Sequence, residues 1–138
     1  MKKVFHFLFI ILIAMSILTA CGGSASPSTS INVSMTDFTF SPNSFVIPAG
    51  AQISFAGSNN GAVTHSFIIM KSGYLVKGHF TDADKPNVFW EAPQIAPGQS
   101  VTDKFTAPGD PGEYQIICGI GGHFEAGMVA KLVVVKQP

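Results

Sequence analysis

An all-β fold follows from three features of the sequence. Short segments rich in β-branched and aromatic residues recur along the chain, clusters of Pro, Gly and Asn separate them, and no 3.6-residue apolar stripe is long enough for a major helix. Two packed sheets suit this pattern better than one open sheet. Strands are expected over Asn32 to Thr36, Ser44 to Pro48, Gln52 to Ser58, Thr64 to Met70, Val88 to Glu91, Ser100 to Thr106, Glu113 to Cys118 and Met128 to Lys136. Pro42-Asn43, Pro48-Ala49-Gly50, Asn59-Asn60-Gly61, Pro97-Gly98 and Pro108 to Gly112 supply the turns.

Before the first strand, Lys2 and Lys3 precede an apolar run from Val4 to Leu18, the arrangement of a secretory signal. The run is too short for a comfortable membrane span. It ends in Leu18-Thr19-Ala20-Cys21, which resembles a bacterial lipobox and implies cleavage before Cys21 and lipidation of its thiol. Gly22 to Ser30 is a Gly, Ser, Ala, Thr and Pro stretch without periodicity, the composition of a flexible tether. The expected organisation is therefore a signal over 1–20, a lipidated Cys21 with its tether over 21–30, and one folded domain over 31–138. That domain is long enough to bury a core without disulfide staples.

Without Lys2 and Lys3, six lysines face eight carboxylates, and the chain has no arginine. A mildly acidic domain with no basic stripe is a poor partner for nucleic acid. The lipid would tie it to a membrane outside the cytoplasm. A lipidated Cys21 leaves Cys118 as the only other thiol, so no internal disulfide can form. A lone thiol in an oxidising compartment would be prone to oxidation, and ligation to a metal explains its survival.

Further along, Lys71 to Pro97 is a long excursion with room for a turn of helix. His79 lies in it and is expected at the surface, because neither Asp82 nor Asp84 forms a ligand spacing with it. Alternation puts Tyr114, Ile116 and Cys118 on one face of their strand and Glu113, Gln115 and Ile117 on the other, so Cys118 points inward at the strand's end. Val129 to Val135 is apolar almost throughout, which predicts a central strand covered on both sides except at Lys131.

Chemistry concentrates in Cys118-Gly-Ile-Gly-Gly-His123-Phe-Glu-Ala-Gly-Met128. Any one of its thiol, imidazole and thioether could be an ordinary core or surface residue. Together, on a loop in which five of eleven residues are Gly or Ala, they form a soft donor set able to wrap a small ion, and that set suits copper. A trigonal copper site of two imidazoles and one thiolate with a weak axial methionine needs one more histidine, and His65 is the obvious candidate.

Pro111-Gly-Glu-Tyr-Gln-Ile-Ile-Cys118 with the loop that follows resembles the C-terminal ligand loop of the small blue copper proteins, the cupredoxins. It is most similar to that of auracyanins, with four residues between Cys and His, four more before Met, and a Gly-Met pair entering the last strand. Azurins and plastocyanins resemble it more distantly. The likeness extends upstream through Phe38-Thr-Phe-Ser-Pro42, Pro48-Ala-Gly50, Asn59-Asn-Gly61 and His65. It implies a Greek-key β-sandwich of about eight strands in two sheets. It also implies one copper ion held by His65, Cys118, His123 and Met128, and a one-electron carrier rather than an enzyme. Such a monomer would dock a cytochrome or membrane redox complex near His123, where Ile120 and Phe124 make the loops apolar.

Two positions depart from the family pattern, Gly121-Gly122 where Pro-Gly is usual before the second histidine, and Ser66 where Asn usually follows the first. Both bear on tuning rather than on binding. Copper storage or delivery uses the same ligands but commonly adds Met-rich or His-rich tracts, absent here. A copper oxidase or nitrite reductase needs a second, His-rich centre, and a metal-free structural lipoprotein needs no such donor set.

Overall fold

The computed structural model describes residues 26–137. The expected signal, Cys21 and the start of the tether lie outside them. Nine strands form: β1 Ser30–Thr36, β2 Thr39–Ser41, β3 Ser44–Pro48, β4 Gln52–Asn59, β5 Ile68–Met70, β6 Val88–Glu91, β7 Ser100–Thr106, β8 Gly112–Ile117 and β9 Val129–Val135. A single 3-10 turn at Lys85–Asn87 is the only helical element among the described residues. The strands make two sheets, in the orders β2-β1-β4-β7 and β3-β9-β8-β5-β6. The β1–β4 and β3–β9 pairs are parallel and the remaining pairs antiparallel.

Between the sheets lies an aromatic core. Phe67, fully buried, meets Phe55 at 5.0 Å, Phe40 at 5.3 Å and Phe45 at 6.0 Å between ring centroids, drawing rings from both sheets. At one flank Trp90 of β6 stacks on Phe105 of β7, 4.4 Å apart with planes 20° from parallel, and joins the two sheets where no backbone hydrogen bond can.

The structure departs from the sequence expectations at four places. The short strand β2 is added, because Asp37 and Phe38 close a two-residue hairpin that pairs Thr36 with Thr39. Phe38 takes a left-handed φ of 65°, and Asp-Phe lacks the glycine that normally signals such a turn. Only Ile68–Met70 of the expected Thr64 to Met70 strand is regular, since His65 forms an isolated bridge with Ile95 and the Ser66 N–H turns toward a sulfur instead of a neighbouring carbonyl. The folded unit starts before Ile31, with the Ser28 N–H bonded to the Val46 carbonyl and the Ser54 N–H to that of Thr29.

The fourth departure concerns β9. It does sit inside its sheet, between β3 and β8, but it is not covered on both sides. Ala130, Leu132 and Val134 are buried while Val129 is 40% exposed and Val133 and Val135 are half-buried, so a run of β-branched residues supplies strand propensity beyond what burial uses. Its neighbour β8 has that double cover at its C-terminal end, while Glu113 on its outer face stays exposed. Tyr114, Ile116 and Cys118 face the main core, and Ile117 faces a second cluster with Ile68, Met70 and Val76.

That second cluster is the underside of the Lys71 to Pro97 excursion. Asp84 clamps it, accepting hydrogen bonds from the Tyr74 hydroxyl at 2.6 Å and from the Thr81 N–H and hydroxyl at 2.7 and 2.8 Å. Those bonds, Tyr74's first, hold the Asp84 carboxyl below its ordinary value near 3.8. A depressed carboxyl stabilises the fold above its ordinary pKa and loses that contribution as pH falls through its lower folded value. Asp84→Asn should thus be less stable than the parent at neutral pH and converge with it in acid, measured as thermal midpoints from pH 7 down to pH 2. A gap that stays constant with pH would show that the charge on Asp84 is not what ties the excursion down.

Candidate metal centre

Three buried donors meet at one end of the sandwich. One ligand atom from each of His65, Cys118 and His123 lies within 4.8 Å of the others. His65 Nδ1 faces His123 Nδ1 at 3.2 Å, and Cys118 Sγ lies 3.4 Å from the same His123 nitrogen. Two nitrogens bound to one first-row ion at about 2.0 Å and tetrahedral angles lie about 3.3 Å apart, so the spacing fits a single ion bound through both Nδ1 atoms. The donor chemistry, two imidazoles and a thiol with no carboxylate among them, fits copper.

Each ligand comes from a differently built segment. Cys118 follows the end of β8, buried by the core face of that strand. His65 is pinned outside any strand by its two backbone hydrogen bonds with Ile95, at 2.9 and 3.1 Å. His123 sits in a series of turns in which its N–H bonds the Ile120 carbonyl and its carbonyl accepts from the Met128 N–H. Gly122 at φ 86° and Gly127 at φ 96° supply left-handed backbone on either side, which explains the loop's glycines. Met128 is fully buried, with its carbonyl accepting from the Cys118 N–H at 3.2 Å, so both ends of the loop are tied together beneath the site.

The sulfur is held from outside the loop. The Ser66 N–H points at Cys118 Sγ from 3.4 Å and the Ser66 hydroxyl lies 3.8 Å from it, while the Gly119 N–H donates to Ser66 Oγ at 2.8 Å. Ser66 therefore links the His65 segment to the Cys118 loop. Burial, and after it the charge on His123, push the His65 imidazole below its ordinary value against an opposing pull from Asp37, so it is neutral near pH 7 with a lone pair to offer.

Of the residues singled out from sequence, His65, Cys118 and His123 gather here, Met128 is buried and tied through its backbone to Cys118 and His123, and the exposed His79 does not join the cluster. Two neighbours escaped sequence reasoning. Asp37 places Oδ1 3.7 Å from His65 Nε2, and Phe38 meets His123 edge-on at 5.1 Å. The polar-aromatic pair at a hairpin tip was the only available signal.

Ser66→Ala would take away the partner of the half-buried Gly119 N–H. It should lower the stability of the metal-free protein by about 0.5–1.5 kcal/mol, read as a shift in urea midpoint at unchanged slope. A variant as stable as the parent would mean that the link contributes nothing.

Residues 7–134 match the model of the cupredoxin-like domain family. The copper-resistant cuproprotein CopI of Rubrivivax gelatinosus is 31% identical over 120 residues, covering 82% of this chain and 70% of that protein. Dithionite-reduced auracyanin from the photosynthetic bacterium Roseiflexus castenholzii superposes with a TM-score of 0.69 at 26% identity, over 80% of this chain and 99% of that one. Auracyanin A, a "blue" copper protein from the green thermophilic photosynthetic bacterium Chloroflexus aurantiacus, gives 0.64 at 27% identity over 80% and 100%. With this fold, this donor set and these relatives, the chain belongs to the cupredoxin-like family and its centre is fitted to one copper ion.

Proposed function

We propose that the protein is a type 1 copper electron carrier, in which His65, Cys118 and His123 would hold the ion strongly and Met128 would hold it weakly. The observation that carries this reading is the buried convergence of two Nδ1 atoms and one thiol sulfur within 4.8 Å. Bound copper would supply one-electron chemistry by alternating between Cu(II) and Cu(I). The chain's part is to hold the donors still. Ser66, the Ile95 bridge and the closed ends of the loop fix the ligands before any metal arrives, so little has to reorganise when an electron moves. The core excludes water from His65 and Cys118, while His123 keeps 6% exposure beside the exposed ring of Phe38. That edge is where a small redox protein would dock, in the brief encounters that small interfaces suit.

No enzymatic role is proposed, because His79 is exposed and apart from the cluster, and no second histidine-rich centre stands among the described residues. We further propose export and lipid anchoring through Cys21, which Cys21→Ser tests by releasing the protein from membranes with its spectrum unchanged. A second reading, copper handling without electron transfer, draws on the likeness to the copper-resistant cuproprotein of Rubrivivax gelatinosus. It predicts copper sensitivity in a strain lacking the gene and no electron exchange with cytochromes.

The copper-loaded protein should absorb intensely near the red end of the visible and bleach with ascorbate. Cys118→Ser should abolish the colour and His79→Ala leave it unchanged; a colourless protein at full copper loading would sink the carrier reading. Met128→Gln should retain copper and colour but lower the reduction potential, because an amide oxygen is harder than a thioether. Met70→Leu, a volume-conserving change in the second cluster, should move the potential hardly at all. Voltammetry on both beside the parent decides, and a potential that follows Met70 alone would remove Met128 from the site.

A further inference from the structure

The hairpin tip between β1 and β2 sends adjacent side chains to the two histidines, Asp37 to His65 and Phe38 to His123. His65 is fully buried, and its Nε2 has no hydrogen-bond partner among the described residues. The group it faces is the Asp37 carboxylate, 3.7 Å away. A buried polar nitrogen without a partner is costly, so the approach of that carboxylate calls for an explanation.

Two features show that the approach is built. The Ala62 N–H donates to Asp37 Oδ1 at 2.9 Å and aims the carboxylate across the gap. Gly61 lies between them, where a Cβ would collide with Asp37 Oδ1 and come within 3.1 Å of His65 Nε2. Any side chain at position 61 would push the pair apart.

The chemistry follows from the imidazole's two tautomers. With its proton on Nδ1, His65 would turn an Nε2 lone pair toward a carboxylate, which repels it, and would fill the metal site with an N–H directed at His123 Nδ1. With the proton on Nε2, the N–H meets a negative charge and Nδ1 is left with its lone pair facing the other donors. Resting on the copper reading above, we propose that Asp37 is a positioning residue for the centre. Its carboxylate holds His65 protonated at Nε2, so that Nδ1 is ready for metal, and its charge favours Cu(II) and lowers the reduction potential. Partial exposure of Asp37, at 43%, moderates that charge effect through solvent screening.

The test is Asp37→Asn, which keeps an oxygen for the Ala62 N–H and removes the charge, beside Asp37→Ala, which removes both. In the metal-free parent at pH 8, ¹⁵N NMR should show His65 as a single Nε2–H tautomer, and in Asp37→Asn a mixture. With copper bound, Asp37→Asn should raise the potential, shifting the Cu(I) to Cu(II) ratio at the parent's midpoint by roughly threefold to tenfold toward Cu(I). A parent-like tautomer in Asp37→Asn overturns the positioning role, and a parent-like potential overturns the charge effect. A potential that moves only in Asp37→Ala assigns the effect to loop support through Ala62, against the proposal. Failure of the parent to bind copper would sink the carrier reading separately, because the tautomer comparison in metal-free protein still decides for or against Asp37.

Discussion

The centre depends on a link between neighbouring segments of the second sheet, from Ser66 to the Cys118 loop. One residue directs its N–H at the thiol sulfur and accepts the Gly119 N–H on its hydroxyl, so two segments distant in sequence cannot move independently. The cost appears in the fold itself. A backbone N–H used on sulfur is unavailable to a β ladder, and regular pairing of the His65 segment is delayed until Ile68. The second sheet gives up part of a strand to hold a donor.

What supports that link is unequal cover. β8, which delivers Cys118, is packed on one face by the main core and on the other by Ile68, Met70 and Val76, with Tyr74, Phe80 and Val88 at the margin. The excursion that brings these residues has little regular structure of its own. It is nonetheless fastened by Asp84 and by the Val76 N–H bond to the Gln115 side chain on β8. A loop of irregular backbone can therefore back the strand that delivers a donor, because its ordering comes from a few part-buried polar bonds and an apolar underside.

Strands with alternating or strongly apolar patterns and clear turn residues were legible in the sequence. Ser44–Pro48, Val88–Glu91 and Ser100–Thr106 fall where their patterns put them. So was the convergence of Cys118 and His123, because a thiol and an imidazole on one glycine-rich loop are chemically improbable otherwise, with His65 as the histidine that completes the cluster. The uneven burial of β9 was not, since Val129, Val133 and Val135 carry the same apolar letters as their buried neighbours and only the sheet's surroundings separate them. Nor was the double role of Asp37 and Phe38. A carboxylate and a ring at a hairpin tip look like any exposed turn until the chain's return places Gly61 and His123 against them. Ser66 shows a subtler limit: it reads as a weaker replacement for a family asparagine, yet its hydroxyl still reaches the Gly119 N–H.

The position of β9 has a bearing on how such a chain acquires its shape. The last strand lies between β3 and β8 and pairs in parallel with β3, near the opposite end of the domain. Until β9 pairs, β3 has no neighbour within the second sheet and is cut off from β8. Closing so long an intervening segment is slow compared with forming local hairpins. The ligand loop is continuous with this strand, so the loop's far end is fixed only when β9 has paired. A chain with β9 unpaired would carry His65 and its hairpin but no closed loop for an ion, and metal capture becomes a report that the second sheet is complete.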